Sequence, residues 1–302
     1  VQVKIESVTD IDKMVEWLWK CPNDISEMNT LILDAIGLSN SAEVIRKLTP
    51  IFDDEEPQAI IRTFSFETNQ CGPEGARTLG AALSYNQHLN RIRFSGNSIR
   101  DEGAAALTAA LSARGELQGG LHLFLEKNEI GPPGAEALAN FVKSYPTIQT
   151  LDINENHIAY PGAETICSAL KMLSGMLLNS SEIVSIETRP LDGLATLSIG
   201  GNGIGDRGYE AIADMLRVNV SLTHLDLGRR NHPTDEGLQQ LAKALREAAA
   251  KREVRPLRRL RCDEGGLRQS SRAELLFSFG GHFQRYNELR NDEEYAAHDG
   301  CS

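Results

Sequence analysis

One template returns along most of this chain and leaves few architectures open to it. In one copy it reads Ile92, Phe94, Asn97, Ile99, Gly103, Leu107 and Leu111. It returns as Leu151, Ile153, Asn156, Ile158, Gly162, Ile166 and Leu170, and again as Leu197, Ile199, Asn202, Ile204, Gly208, Ile212 and Leu216. The alternation at its start predicts a short strand, and the four-residue spacing at its end predicts an amphipathic helix. The second apolar strand position falls on Ile5, Leu33, Phe66, Phe94, Leu125, Ile153, Ile199, Leu227 and Cys262, and four of the eight intervals are 28 residues. A unit of one strand and one helix cannot bury its apolar face alone, so the units must stack. Strands stack about 4.8 Å apart while helices need about 8–10 Å, so the stack must curve with its sheet inside.

Helices are expected over residues 10–20, 41–52, 73–85, 101–113, 132–144, 161–173, 206–218 and 234–251. Pro73, Pro132 and Pro161 stand at helix starts, where a missing N–H costs nothing. Asp101 and Asp206 stand at the matching place, where a carboxylate favours the positive helix end. Gly75, Gly103, Gly134, Gly162, Gly208 and Gly237 recur one turn in, which points to close approach of the neighbouring unit.

Strand, Asn-containing turn and helix at this period resemble a leucine-rich repeat of the long, ribonuclease-inhibitor type. The resemblance covers roughly residues 31–262. It implies an α/β solenoid, a horseshoe with a concave parallel β-sheet and convex helices. It also implies that Asn69, Asn97, Asn128, Asn156 and Asn202 form a structural ladder on the backbone of adjacent turns. Cytosolic proteins with such repeats include Ran GTPase-activating proteins and the sensor arrays of nucleotide-binding immune receptors.

The chain divides into atypical repeats and a cap over 1–59, regular repeats over 60–251, a degenerate last repeat with a capping helix over 252–290, and a polar, disordered tail over 291–302. The capping helix is drawn from residues 273–289, on the spacing of Leu275, Leu276, Phe279, Phe283 and Tyr286. An interval of 46 residues between Ile153 and Ile199 places an insertion at 174–192, expected to lie outside the regular coil. A start at Val1 rather than Met marks the chain as an expected fragment of a longer protein.

Charge and motifs narrow the function. A formal net charge of −11 argues against general nucleic-acid affinity, which needs basic surface. No run reaches the roughly 20 apolar residues of a membrane helix. The 5 cysteines have no metal spacing and read as reduced thiols of a cytoplasmic protein. Gly203, Gly205 and Gly208 fit the dinucleotide-binding G-x-G-x-x-G, but the repeat accounts for two of them, and a one-way solenoid has no strand-order reversal to make a crevice. No nucleophile–base constellation is present. The expectation is a non-enzymatic protein with no cofactor and no metal.

Residues that alternate with the core positions face the concave side. Arg91, Arg93, His122, Phe124, Asp152, Asn154, His224 and Asp226 are the candidate partner-binding residues, with Phe124 as an exposed aromatic between a positive and a negative flank. A basic run holding Arg252, Arg255, Arg258, Arg259 and Arg261 is a candidate dock for an acidic partner. The leading expectation is a protein-interaction module working through the concave face. The resemblance adds a regulator of a small GTPase, and a sensor or autoinhibitory array of a larger receptor, as alternatives.

Overall fold

A computed structural model describes residues 12–13, 16, 30–33, 41–52, 61–84, 86–114, 120–179, 193–250, 257–262 and 283–285. The described elements alternate along the chain. They are β1 (Thr30–Ile32), α1 (Ser41–Leu48) with a 3-10 turn (Thr49–Phe52), β2 (Thr63–Ser65), α2 (Gly72–Leu83), β3 (Arg91–Arg93), α3 (Arg100–Arg114), β4 (Leu121–Phe124) and α4 (Pro132–Ser144). They continue with β5 (Ile148–Asp152), α5 (Ala159–Asn179), β6 (Thr196–Ser198), α6 (Gly205–Leu216), β7 (His224–Asp226), α7 (Asp235–Ala249), β8 (Arg259–Cys262) and β9 (Phe283–Arg285). The sheet runs β1 to β9 in sequence order, and every pairing is parallel. Each helix from α1 to α7 packs on the next. This is the α/β solenoid that the repeat predicts, with the helices outside the curve.

Two apolar rows hold sheet and helices together. Leu31, Phe64, Ile92, Leu123, Leu151, Leu197, Leu225 and Leu260 are register partners from strand to strand, and all are buried. Leu33, Phe66, Phe94, Leu125, Ile153, Ile199, Leu227 and Cys262 form the second buried row. In the first units these rows are aromatic, with Phe52, Phe64, Phe66 and Phe94 in successive ring contacts of 5.1, 6.0 and 5.9 Å.

Small residues and short carboxylates set the spacing between helices. A Cβ on Gly103 would lie 3.0 Å from Ala76 Cβ and 3.1 Å from Pro73 Cα of the preceding unit. Asp101 and Asp206 act across units rather than only on their own helices. Asp101 Oδ1 accepts from Gly131 N at 2.7 Å and Gly134 N at 2.9 Å, capping α4. Asp206 Oδ1 accepts from Thr234 N at 2.7 Å, just ahead of α7. A carboxylate at the helix start is close enough to the next helix's free N–H groups to satisfy them.

The asparagine side chains lie buried along the turns that follow the strands. Asn97 Nδ2 donates to the carbonyls of Phe66, Phe94 and Ser95 at 2.6, 3.0 and 3.2 Å, while its Oδ1 accepts from Asn69 N at 3.1 Å. Asn128 Oδ1 accepts from Asn97 N, and Asn156 Oδ1 accepts from Asn128 N, both at 2.9 Å. Asn202 continues the row by accepting from Ile158 N, and Asn231 Oδ1 accepts from Asn202 N at 2.9 Å. Asn231 reaches that slot because one extra residue separates it from Leu227. These turns use the left-handed region repeatedly. Gly203 has φ +62°, and the same slot holds Gln70, Ser98 and Glu129 at φ 51°, 51° and 59°. Gly203 thus relieves a strained turn slot, which removes the last reason to read a phosphate-binding loop.

Two boundaries differ from expectation. Helix α5 does not stop at Leu173 but runs to Asn179, so the insertion expected from Ser174 begins inside the coil. Ser174 is buried, donates to Leu170 O at 2.9 Å and accepts from Val220 N at 3.4 Å. The remainder of the insertion lies outside the described residues, while β5 and β6 on either side of it are paired. Within the expected capping helix, residues 283–285 instead form β9 against β8. A bare strand edge presents unpaired backbone groups, and another strand satisfies them. The rest of that segment, the unit at Ile5 and the tail lie outside the described residues.

Candidate interaction face

The strand register builds the concave face in rows. One row runs Thr63, Arg91, His122, Thr150, Thr196, His224 and Arg259 across β2 to β8. The next runs Ser65, Arg93, Phe124, Asp152, Ser198, Asp226 and Arg261. The face thereby gathers Arg91, Arg93, His122, Phe124, Asp152, His224 and Asp226. Asn154 follows β5, where its Oδ1 accepts from Gly200 N.

Phe124 differs from its expected exposed state. It is half-buried, with the Arg93 guanidinium 4.6 Å and that of Arg91 5.8 Å from the ring centroid. Arg93 is its direct register partner, so the contact follows from strand pairing, and such stacking contributes about 0.5–1 kcal/mol at a partly exposed site. The three side chains form one wall. His122 stands beside it, with Nδ1 2.9 Å from Thr150 Oγ1.

Asp152 is corrected further. A solvated negative flank was expected, yet its exposure is 4%. Its register neighbours are Phe124 on β4 and Ser198 on β6. Asp152 Oδ1 accepts from Asn154 N at 3.0 Å. Glu126, two residues beyond Phe124, is the charged neighbour that acts most on Asp152. Burial first, and then the neighbouring Glu126 and Asp226 charges, hold the Asp152 carboxyl well above the usual carboxylate range. Burial also raises Asp226, against the opposing pull of Arg261, whose Nη1 lies 3.2 Å from Asp226 Oδ2.

Of the basic run, three residues are described. Arg261 turns onto the concave face and pairs with Asp226, while Arg258 and Arg259 are exposed. Arg252 and Arg255 lie outside the described residues. Sequence reading missed the burial of Asp152 and the Asp226–Arg261 pair. The legible signal was the slot numbering, which sets Asp226 and Arg261 opposite each other on adjacent strands. Burial also pushes the Cys71 and Cys167 thiols up to about 12, which leaves them poor nucleophiles. Among the described residues no helix is long and apolar enough to cross a membrane.

A family model described as "Leucine Rich repeat" matches residues 85–107, 121–139, 146–167 and 194–213, with the last three spanning β4, β5 and β6 and the turns after them. The chain carries leucine-rich repeats. It is 29% identical over 213 residues to mouse NACHT, LRR and PYD domains-containing protein 12, covering 70% of this chain and 18% of that protein. It is 29% identical over 178 residues to mouse Centrosomal protein of 78 kDa, covering 56% of this chain and 22% of that protein. A solved structure titled as the tropomodulin C-terminal domain of Caenorhabditis elegans shares 11% identity at a TM-score of 0.37, over 68% of this chain and 92% of that one. This leucine-rich repeat chain spans about a fifth of the length of the two curated relatives. Repeats and relatives together support a protein-interaction module.

Proposed function

We propose that this chain is a non-enzymatic, ribonuclease-inhibitor-like repeat array of the cytoplasm that binds a protein partner on its concave face, centred on Phe124. The observation that carries this reading is the contrast along the sheet. The buried rows repeat apolar residues in every unit, whereas the facing rows change from Arg to aromatic to carboxyl to Ser within a few strands. Stacking needs the first and has no use for the second. An aromatic flanked by Arg is also the composition of interface hot spots.

A second reading places the array within a larger sensor protein. It is favoured by the relatives whose names carry NACHT and PYD domains and by the small share of them that this chain spans. A small-GTPase partner has no structural observation in its favour beyond the resemblance.

The test is differential capture from a lysate of the source cells. Proteins held by the wild type should be lost with Phe124→Ala, by about 2 kcal/mol or more for a hot spot, and kept with Arg207→Ala on the helix side. Loss with Arg207→Ala and retention with Phe124→Ala would move the working surface to the convex face.

A further inference from the structure

The wall formed by Arg91, Arg93 and Phe124 holds a cation that the chain leaves without an anion. Half-buried cations elsewhere are neutralised. Lys47 pairs with Asp12, Arg217 with Asp214 and Glu247, and Arg261 with Asp226. Arg93 is half-buried as well, yet among the described residues no carboxylate pairs with it and no acceptor holds its guanidinium. Its register partners are Ser65 and Phe124, neither of which can neutralise it.

Stacking of the units does not call for a cation in this slot, which holds Ser65 on β2 and Ser198 on β6. A partly desolvated guanidinium without an anion costs stability. Its contact with Phe124, 4.6 Å from guanidinium carbon to ring centroid, offsets only part of that cost. The ring supplies no acceptor oxygen, so the planar fork of N–H donors stays unused. A carboxylate, with two oxygens in one plane, matches that fork better than any other protein group.

We propose that Arg93 binds the carboxylate of an aspartate or glutamate on a protein partner, with the adjoining part of that partner packed on Phe124. This rests on the concave face being the working surface and names the chemistry that the face selects. The surrounding charge sets the side of approach. Glu67 and Glu126 follow β2 and β4 at the turn end of the face, while Arg91 stands two residues before Arg93 at the strand start. The partner carboxylate therefore enters from the strand-start side. The net charge of −11 does not oppose it there, because exposed charges are screened beyond about 8 Å at physiological salt. A basic residue in the same place would meet Arg93 and be rejected.

The test uses a displayed library of random peptides, selected on the intact chain and counter-selected on the Arg93→Gln variant. The expected result is enrichment of an acidic residue. A synthetic peptide of the enriched sequence should bind Arg93→Gln at least about tenfold more weakly, as the loss of charge-assisted hydrogen bonds requires. Changing its acidic residue to the amide should cost the intact chain as much and the variant nothing further. Arg207→Gln, whose guanidinium lies 5.2 Å from the Tyr160 ring on the helix side, should leave the affinity unchanged. If Arg93→Gln disturbs folding, Arg93→Ser, the residue of the same slot on β2 and β6, takes its place. Enriched sequences without an acidic residue, equal binding to the Arg93 variant, additive losses in the pair of changes, or no enrichment at all would overturn the proposal. If such sequences still lose binding with Phe124→Ala, only the carboxylate assignment falls. If Phe124→Ala also leaves them bound, the concave-face reading falls with it.

Discussion

Two rows of side chains cross this solenoid, and they are built on opposite terms. The turn row holds Asn69, Asn97, Asn128, Asn156, Asn202 and Asn231, one residue type throughout, each hydrogen bonded to the backbone of its own or a neighbouring unit. The sheet row holds Ser65, Arg93, Phe124, Asp152, Ser198, Asp226 and Arg261, different at nearly every step and with a carboxyl, Asp152, buried among them. An amide can donate and accept at once without charge, so it satisfies a buried turn at little desolvation cost. A buried carboxylate lacks that economy. Uniformity thus marks what stacking demands, and variation marks positions released from it.

This contrast can be broken most sharply at the turn row. Asn97→Ala should destabilise by about 3 kcal/mol, because it strands carbonyls of Phe66, Phe94 and Ser95 together with the Asn69 N–H. A shift in the urea midpoint measures this, and an unchanged midpoint would mean that water replaces the amide freely. Gly103→Val tests the same demand on the helix side. The added Cβ would press on Ala76 and Pro73 and on its own Ile99, and about 2 kcal/mol should be lost. An unaltered thermal unfolding curve would show that the helices can slide apart without cost.

The sheet row should respond in the opposite direction. Asp152 holds its proton more tightly folded than unfolded, so its ionisation costs stability. The cost is absent below the unfolded value of about 4, grows as pH rises toward the raised native value, and is complete above it. Asp152→Asn should therefore stabilise by about 1 kcal/mol at neutral pH and by nothing near pH 3. A destabilised Asp152→Asn protein at neutral pH, read from the same melts, would make Asp152 a structural residue and erase the distinction between the rows.

The period, the strand alternation and the apolar rows were legible in the sequence because stacking constrains every unit alike. Phe124 and Arg93 were assigned to one face for the same reason. What escaped was the degree of burial. Strand alternation tells which way Asp152 points, but not that it ends 4% exposed. The slot numbering puts Arg93 beside Phe124 and Arg261 beside Asp226, but the ring contact and the ion pair depend as well on side-chain conformation, which alternation does not carry. At the end of the array, the spacing around Phe283 reads as a helix, but the open edge of β8 recruits that residue as strand. Local periodicity carries no information about an unpaired edge.

The junction around Ser174 has a further consequence. On one margin Ser174 is tied to the turn at Val220, and on the other Gly193 N donates to Pro146 O at 2.7 Å, so both ends of the insertion at 174–192 are fastened to the coil. The sheet closes on the same register whatever length of chain joins these two anchor points, since lengthening a loop costs little. That makes the seam between α5 and β6 a graft point, at which foreign sequence can be added or exchanged while the face beneath keeps its shape.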